Sequence, residues 1–123
     1  NKESPYKNKK FEDELPVRPP NLCPGCPHRD VYYSIVKVFK KKKSIYPSDI
    51  GCYTLALNQG AIDTVLCMGA SVAMASGFSI ADKSKTVIAS IGDSTFTHSG
   101  VAPLINAVYQ KHRFILVIMD NSV

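Results

Sequence analysis

The chain has 123 residues, 45% of them apolar and 20% charged, which is enough to bury the core of one globular domain and too few for two. No apolar run approaches the ~18 residues of a membrane helix and no signal-peptide pattern opens the sequence, so a cytoplasmic protein with no membrane role is expected. The net charge of +5 invites a nucleic-acid partner, but residues 1–43 hold 11 Lys/Arg against 5 Asp/Glu while residues 44–123 hold 4 against 5; the basicity belongs to a tail and to Lys40–Lys43, without the aromatic interleaving of a nucleic-acid module.

Residues 1–20 are polar, charged and punctuated by proline, and read as a linker from a preceding domain. Residues 21–123 form the domain. It opens with Cys23-Pro-Gly-Cys26-Pro-His28, two cysteines at C-x-x-C spacing in a Pro/Gly turn. Four chemistries use such a pair. A disulfide does not suit a cytosolic protein. Zinc wants a second C-x-x-C pair. Thioredoxin-like chemistry wants a preceding strand, which Pro19-Pro20 opposes. An iron–sulfur site wants further cysteines, and Cys52 is available. Val31, Ile35, Val38 and Phe39 then mark an amphipathic helix with Asp30 at its start, and the lysines at its end suit the helix dipole.

Ser44–Tyr53 reads as a short strand running into a tight loop, where Gly51 lets the backbone of Cys52 approach a ligand. Asp63–Gly77 reads as a strand entering a helix. Gly69, Ala70, Ala73, Ser76 and Gly77 give that helix a side of small residues for close packing on a sheet. Cys67 is expected to be a buried small apolar residue, and Met68 and Met74 to serve packing.

The last thirty-two residues carry the most information. Thr86–Ile91 and Phe114–Met119 are short, β-branched, unalternating apolar runs, as in strands buried on both faces. Between them Val101, Leu104, Ile105 and Val108 recur at i, i+3, i+4, i+7, one stripe of a helix, and Pro103 fits the first turn, where amides lack intrahelical partners. The unit is strand, loop, helix, strand with a right-handed crossover. Asp93 then follows the first strand and Asn121 the second, at the carboxyl edge where open α/β sheets bind ligands. A carboxylate, an amide oxygen and loop carbonyls suit Mg²⁺, which completes its shell with phosphates. Gly92-Asp93-Ser94 alone could be an ordinary turn and Asp120-Asn121-Ser122 a strand-end cap; their spacing across one βαβ unit is the stronger signal. His98 lies in the loop beside this pair and is a candidate acid or base, as is His28; His112, at a helix end, is expected to be solvated.

The expected architecture is α/β, a three-layer sandwich with a mainly parallel sheet: helix 29–41, strands 44–48 and 63–67, helix 69–82, strand 86–91, helix 99–110 and strand 114–120.

Gly92-Asp93-Ser94 followed by Asp120-Asn121 resembles the thiamine-diphosphate (ThDP) motif, a Gly-Asp-Gly type turn followed some thirty residues on by Asn at a strand end. Ser94 departs from the usual third glycine but is still small. The resemblance implies that Asp93, Asn121 and the Val123 carbonyl hold the Mg²⁺ that bridges the cofactor diphosphate. Taken with Cys-Pro-Gly-Cys-Pro-His, Asp49-Ile-Gly51-Cys52-Tyr-Thr-Leu and Met68-Gly69-Ala-Ser, residues 18–123 resemble the 2-oxoacid:ferredoxin oxidoreductases, most of all the alpha subunits of the indolepyruvate branch.

That resemblance implies a ThDP diphosphate-binding domain, truncated at its carboxyl end, in a longer subunit. The reaction implied is oxidative decarboxylation of aryl 2-oxoacids, indolepyruvate foremost, with coenzyme A as acyl acceptor and ferredoxin as electron acceptor. Pyruvate or 2-oxoglutarate oxidoreductases are the alternative substrate classes, and a non-enzymatic iron–sulfur or metal-binding module the alternative of a different kind. Gly51, Cys52, Met68, Gly69, Gly92, Asp93, Ser94 and Asn121 are the implied cofactor contacts, with the turn at Met68-Gly69 against the cofactor and the following helix facing the diphosphate. In related enzymes cysteines matching Cys23, Cys26 and Cys52 supply three of four thiolates to a [4Fe–4S] cluster; a rigid Cys/Pro turn lining the pocket is the other reading. The implied partners are a pyrimidine-binding domain of the same subunit and a beta subunit. The glutamate that acts on the aminopyrimidine is expected from the former, because Glu occurs here only at positions 3, 12 and 14, so the segment alone is expected to be inactive.

Overall fold

A computed structural model describes residues 16–39 and 43–121. Val123, expected as a metal ligand, the three glutamates of the expected linker and most of the lysine run therefore lie outside the described residues.

Three parallel strands, β1 (Ser44–Ile45), β2 (Thr86–Gly92) and β3 (Ile115–Met119), lie side by side in that order. The register runs from Ile88 beside Ile115 to Gly92 beside Met119, and puts Ser44 beside Thr86. Helix α1 (Pro27–Val38) and a 3₁₀ segment (Gly51–Gln59) cover one face of the sheet, where Tyr32, Ile35, Ala56, Ile88 and Met119 share a core. Helix α2 (Ala70–Ala81) covers the other, packing Ala75 on Val87 and Ala89. Strand β2 is buried on both sides, as its unalternating sequence requires. The architecture is the expected α/β sandwich with an open parallel sheet.

Four differences from the expected elements have physical causes. The strand expected at 44–48 is regular only over Ser44–Ile45, and then touches its neighbours through single bridges of Pro47 with Thr64 and Ser48 with Ser90. Proline has no amide to donate to a ladder. The strand expected at 63–67 is reduced to that one bridge at Thr64. The Asp63 side chain takes the Tyr46 amide (3.0 Å) on one side of that bridge, and on the other the Ile50 amide, which the next rung would use, goes to Asp49 Oδ1 (2.9 Å). The loop expected after Cys52 is instead the 3₁₀ segment, closed by Gly60 at φ 69°.

The fourth difference bears on function. No loop separates β2 from the next helix: α3 (Asp93–Thr95), a π-helical turn (Phe96–Gly100) and α4 (Val101–Tyr109) follow Gly92 directly. Pro103 is thus deep inside a helical stretch and not in its first turn. The π turn lies just before it, and Val101 donates to the Phe96 carbonyl five residues back. Such bulges let a helix absorb a residue that cannot make the regular bond.

Burial also departs from the expected stripes. In α2 the buried residues are Ser71, Val72, Ala75 and Ser76, whereas Ala73 and Gly77 are exposed. In α4 only Ala107 is buried; Val101, Ile105 and Val108 are exposed, Val108 at 69%. This helix packs on α2, and no described element covers the rest of its apolar face.

Candidate functional site

The site forms at the carboxyl edge of the sheet. Because Gly92 lies beside Met119, the next residues, Asp93 and Asp120, emerge as neighbours, with Asn121 one position further. Adjacent strands are about 4.8 Å apart, so side chains from both strand ends reach one ligand. The segment that continues β1 along β2 brings a third carboxylate to the same edge: the Asp49 amide donates to the Ser90 carbonyl at 3.1 Å.

Asp93 is half-buried and heads the helical stretch, where a negative charge is favoured by the amide dipoles. Its carbonyl accepts the Thr97 hydroxyl at 3.0 Å. Gly92 beneath it is required by contact: a Cβ there would lie 2.5 Å from the Tyr53 hydroxyl. Burial, then the charges of Asp93, Tyr32, Asp49 and Cys52, hold the Tyr53 phenol above its ordinary pKa, so it remains a donor.

Gly69 is constrained twice. Its φ is 80°, and a Cβ would lie 2.1 Å from the Ser99 hydroxyl. Its amide donates to Asp49 Oδ1 (3.1 Å), and the Ala70 amide donates to the Cys67 carbonyl, so two of the amides at the start of α2 are already engaged within the chain. Gly51, in contrast, meets nothing of the chain within 4 Å, and its φ of 89° by itself favours glycine. Met68 is 59% exposed and Cys67 is exposed, so neither is the packing residue expected. Met74 is half-buried and accepts the Thr64 hydroxyl.

Behind the edge, Tyr32, Ser90 and Ser48 form a buried chain of hydroxyls, with Tyr32 to Ser90 at 3.2 Å and Ser90 to Ser48 at 2.8 Å. Burial holds the Tyr32 phenol above its ordinary pKa, against the opposing effect of hydrogen bonding to Ser48 and Ser90. The network ties α1 to β2 and to the chain just before Asp49.

The cysteine turn stands beside this edge. Cys23–Cys26 is closed by the Cys26 amide to the Cys23 carbonyl at 3.1 Å, with Pro24 and a left-handed Gly25 in its centre. Arg29 donates to the Cys23 and Leu22 carbonyls and braces it. His28 is buried in the first turn of α1. Its Nδ1 lies 3.6 Å from Cys26 Sγ, its ring is 5.1 Å from that of Tyr53, and its Nε2 has no partner among the described residues. A concavity of about 380 Å³ runs from Pro27, His28 and Val31 to Asp120 and Asn121.

His98 lies in the π turn and not in a loop, exposed, and shares an open depression with Asp93, Ser94 and Thr97. His112 is half-buried and hydrogen-bonded to Ser76, on the opposite edge of the sheet, where solvation was expected.

The donor chemistry at Asp93 and Asn121, hard oxygens on adjacent strand ends, fits Mg²⁺. The thiolates fit a cluster less well. All four cysteines are free, and among the described residues no group of three or more His, Cys, Asp or Glu could hold a metal ion, so Cys23, Cys26 and Cys52 are not gathered as a ligand set. Asp49, Tyr53 and Ser99 are the site residues that sequence reasoning did not single out. A carboxylate at the end of the strand beside β2, directly before a glycine, is the signal that could have found the first.

Residues 49–123 match the thiamine pyrophosphate enzyme C-terminal domain, the TPP-binding domain; thiamine pyrophosphate and ThDP are the same compound. The chain is 52% identical over 115 residues to the indolepyruvate oxidoreductase subunit IorA of Methanothermobacter marburgensis, which covers 88% of this chain and 18% of that protein. It is 49% identical over 118 residues to IorA of Archaeoglobus fulgidus (94% and 19%) and 42% identical over 132 residues to IorA of Pyrococcus horikoshii (95% and 20%). The chain thus spans about a fifth of the length of these relatives. The motif-bearing edge and the matched region coincide, and the chain belongs to the thiamine pyrophosphate enzyme family, in its C-terminal TPP-binding domain.

Proposed function

We propose that this chain is the ThDP- and Mg²⁺-binding segment of a cytoplasmic oxidoreductase complex that oxidatively decarboxylates aryl 2-oxoacids such as indolepyruvate, with coenzyme A and ferredoxin as acceptors. The observation that carries the reading is the register of β2 with β3, which brings Asp93 and Asn121 to one edge within the region shared with TPP-binding domains. The name of the relatives, indolepyruvate oxidoreductase, supports the substrate class.

Bound ThDP supplies the carbanion-stabilising chemistry. The chain's own residues bind and orient it. Asp93 and Asn121, with the Val123 carbonyl, hold the Mg²⁺ that neutralises the diphosphate. Gly92 and Gly69 keep the backbone free of side chains where Tyr53 and Ser99 close in. Tyr53, protonated, offers a donor beside Gly92, and His28 lines the concavity that reaches Asn121. A pyrimidine-binding domain of the same subunit supplies the glutamate, and a beta subunit completes the complex.

Calorimetric titration of ThDP into the full-length subunit, with and without Mg²⁺, tests this. Asp93→Ala is expected to weaken Mg²⁺-dependent binding about a hundredfold or more, as loss of a charged ligand does, without unfolding the protein. Unchanged ThDP affinity in that variant would sink the metal assignment.

A further inference from the structure

Asp49 is fully buried, yet only one of its oxygens is used. Oδ1 accepts the amides of Ile50 (2.9 Å) and Gly69 (3.1 Å); Oδ2 has no partner among the described residues. An unpaired buried carboxylate oxygen is costly, so what explains an aspartate here is the work of Oδ1.

That work joins three segments. Gly69 precedes α2 and has no side chain with which to cap it. Asp49, twenty residues upstream, accepts its amide instead, and places a negative charge at the amino end of α2 where the dipole favours it. Gly69 in turn lies against Ser99, whose hydroxyl donates to the Thr95 carbonyl at 3.1 Å in the helical stretch that Asp93 begins. The line from Asp49 through Gly69 and Ser99 therefore ends one turn from the proposed metal ligand.

We propose that Asp49 is a positioning residue of the cofactor edge: it caps α2 from outside, and so holds the Met68–Gly69 turn in register with the helix that carries Asp93. The proposal rests on the ThDP-binding reading above. It gives Asp49 a role distinct from that of a metal ligand.

The test uses the full-length subunit, with ThDP affinity measured by calorimetry in Mg²⁺ and amide hydrogen exchange followed at Ile50 and Gly69. Asp49→Ala is expected to lower ThDP affinity about ten- to a hundredfold, the equivalent of one or two charge-assisted hydrogen bonds, and to speed exchange at Gly69. Its binding remains Mg²⁺-dependent, because Asp93 is intact. Asp49→Asn restores affinity to within about threefold of wild type, since one amide oxygen can accept both N–H groups. Wild-type affinity together with slow Gly69 exchange in Asp49→Ala would overturn the proposal. So would a joint fall in melting temperature and affinity that Asp49→Asn does not repair, which would make the role purely structural. Should the alanine variant not fold, unliganded wild-type protein decides: slow exchange at Gly69 supports the clamp, and exchange at the rate of a free amide overturns it. Failure of the wild type to bind ThDP would instead refute the functional reading, and leaves the exchange measurements as a separate test of the clamp.

Discussion

Asp93 with Asn121 and Cys23 with Cys26 and Cys52 are two residue sets singled out by spacing, and the fold treats them differently. The first pair is delivered to one edge by five consecutive parallel pairings between β2 and β3. The cysteines sit on a turn and at the start of a 3₁₀ segment, and are not gathered. Spacing becomes proximity where a sheet register fixes the conversion. Between irregular segments, the local backbone decides instead.

The edge can be broken hardest at Gly69. Alanine there must adopt a left-handed φ and overlap Ser99, a combination expected to cost about 2–4 kcal/mol in urea unfolding and to weaken ThDP binding with it. An alanine variant as stable as wild type would mean that the contact between the α2 turn and the Asp93 helix is looser than it stands.

The cysteine side of the comparison is sharpened by Cys26→Ser. With the three thiolates apart, iron content of the anaerobically purified full-length subunit is expected to stay unchanged. Loss of about four irons would show that Cys23, Cys26 and Cys52 come together in the complete subunit.

What could be read from the sequence follows the same division. Strands β2 and β3 and the placing of Asp93 and Asn121 at their ends were legible from the unalternating apolar runs, but the burial on both faces that such runs state holds for β2 and not for β3, where Ile115 and Ile118 are exposed. The helix beginning at Asp93 was not, because Pro103 reads as a first-turn residue until the π turn before it is seen. The strand at 63–67 failed for a reason spacing does not carry: beyond the Thr64 bridge the next rung would use the Ile50 amide, and the Asp49 carboxylate takes it. Periodicity marked the apolar stripe of α4, but periodicity does not say what covers it, and Val108 remains exposed. Asp49 was visible only as part of a motif, since its partner Gly69 is twenty residues away and meets it through the backbone.

The central claim is that Asp93 and Asn121 share one metal ion with the cofactor. Mn²⁺ replaces Mg²⁺ at such oxygen sites and scatters anomalously, so a crystal of the full-length subunit grown with ThDP and Mn²⁺ locates the ion directly. The account predicts a single peak within about 2.0–2.3 Å of both an Asp93 carboxylate oxygen and the Asn121 side-chain oxygen. A peak away from either residue, with ThDP bound, would contradict it.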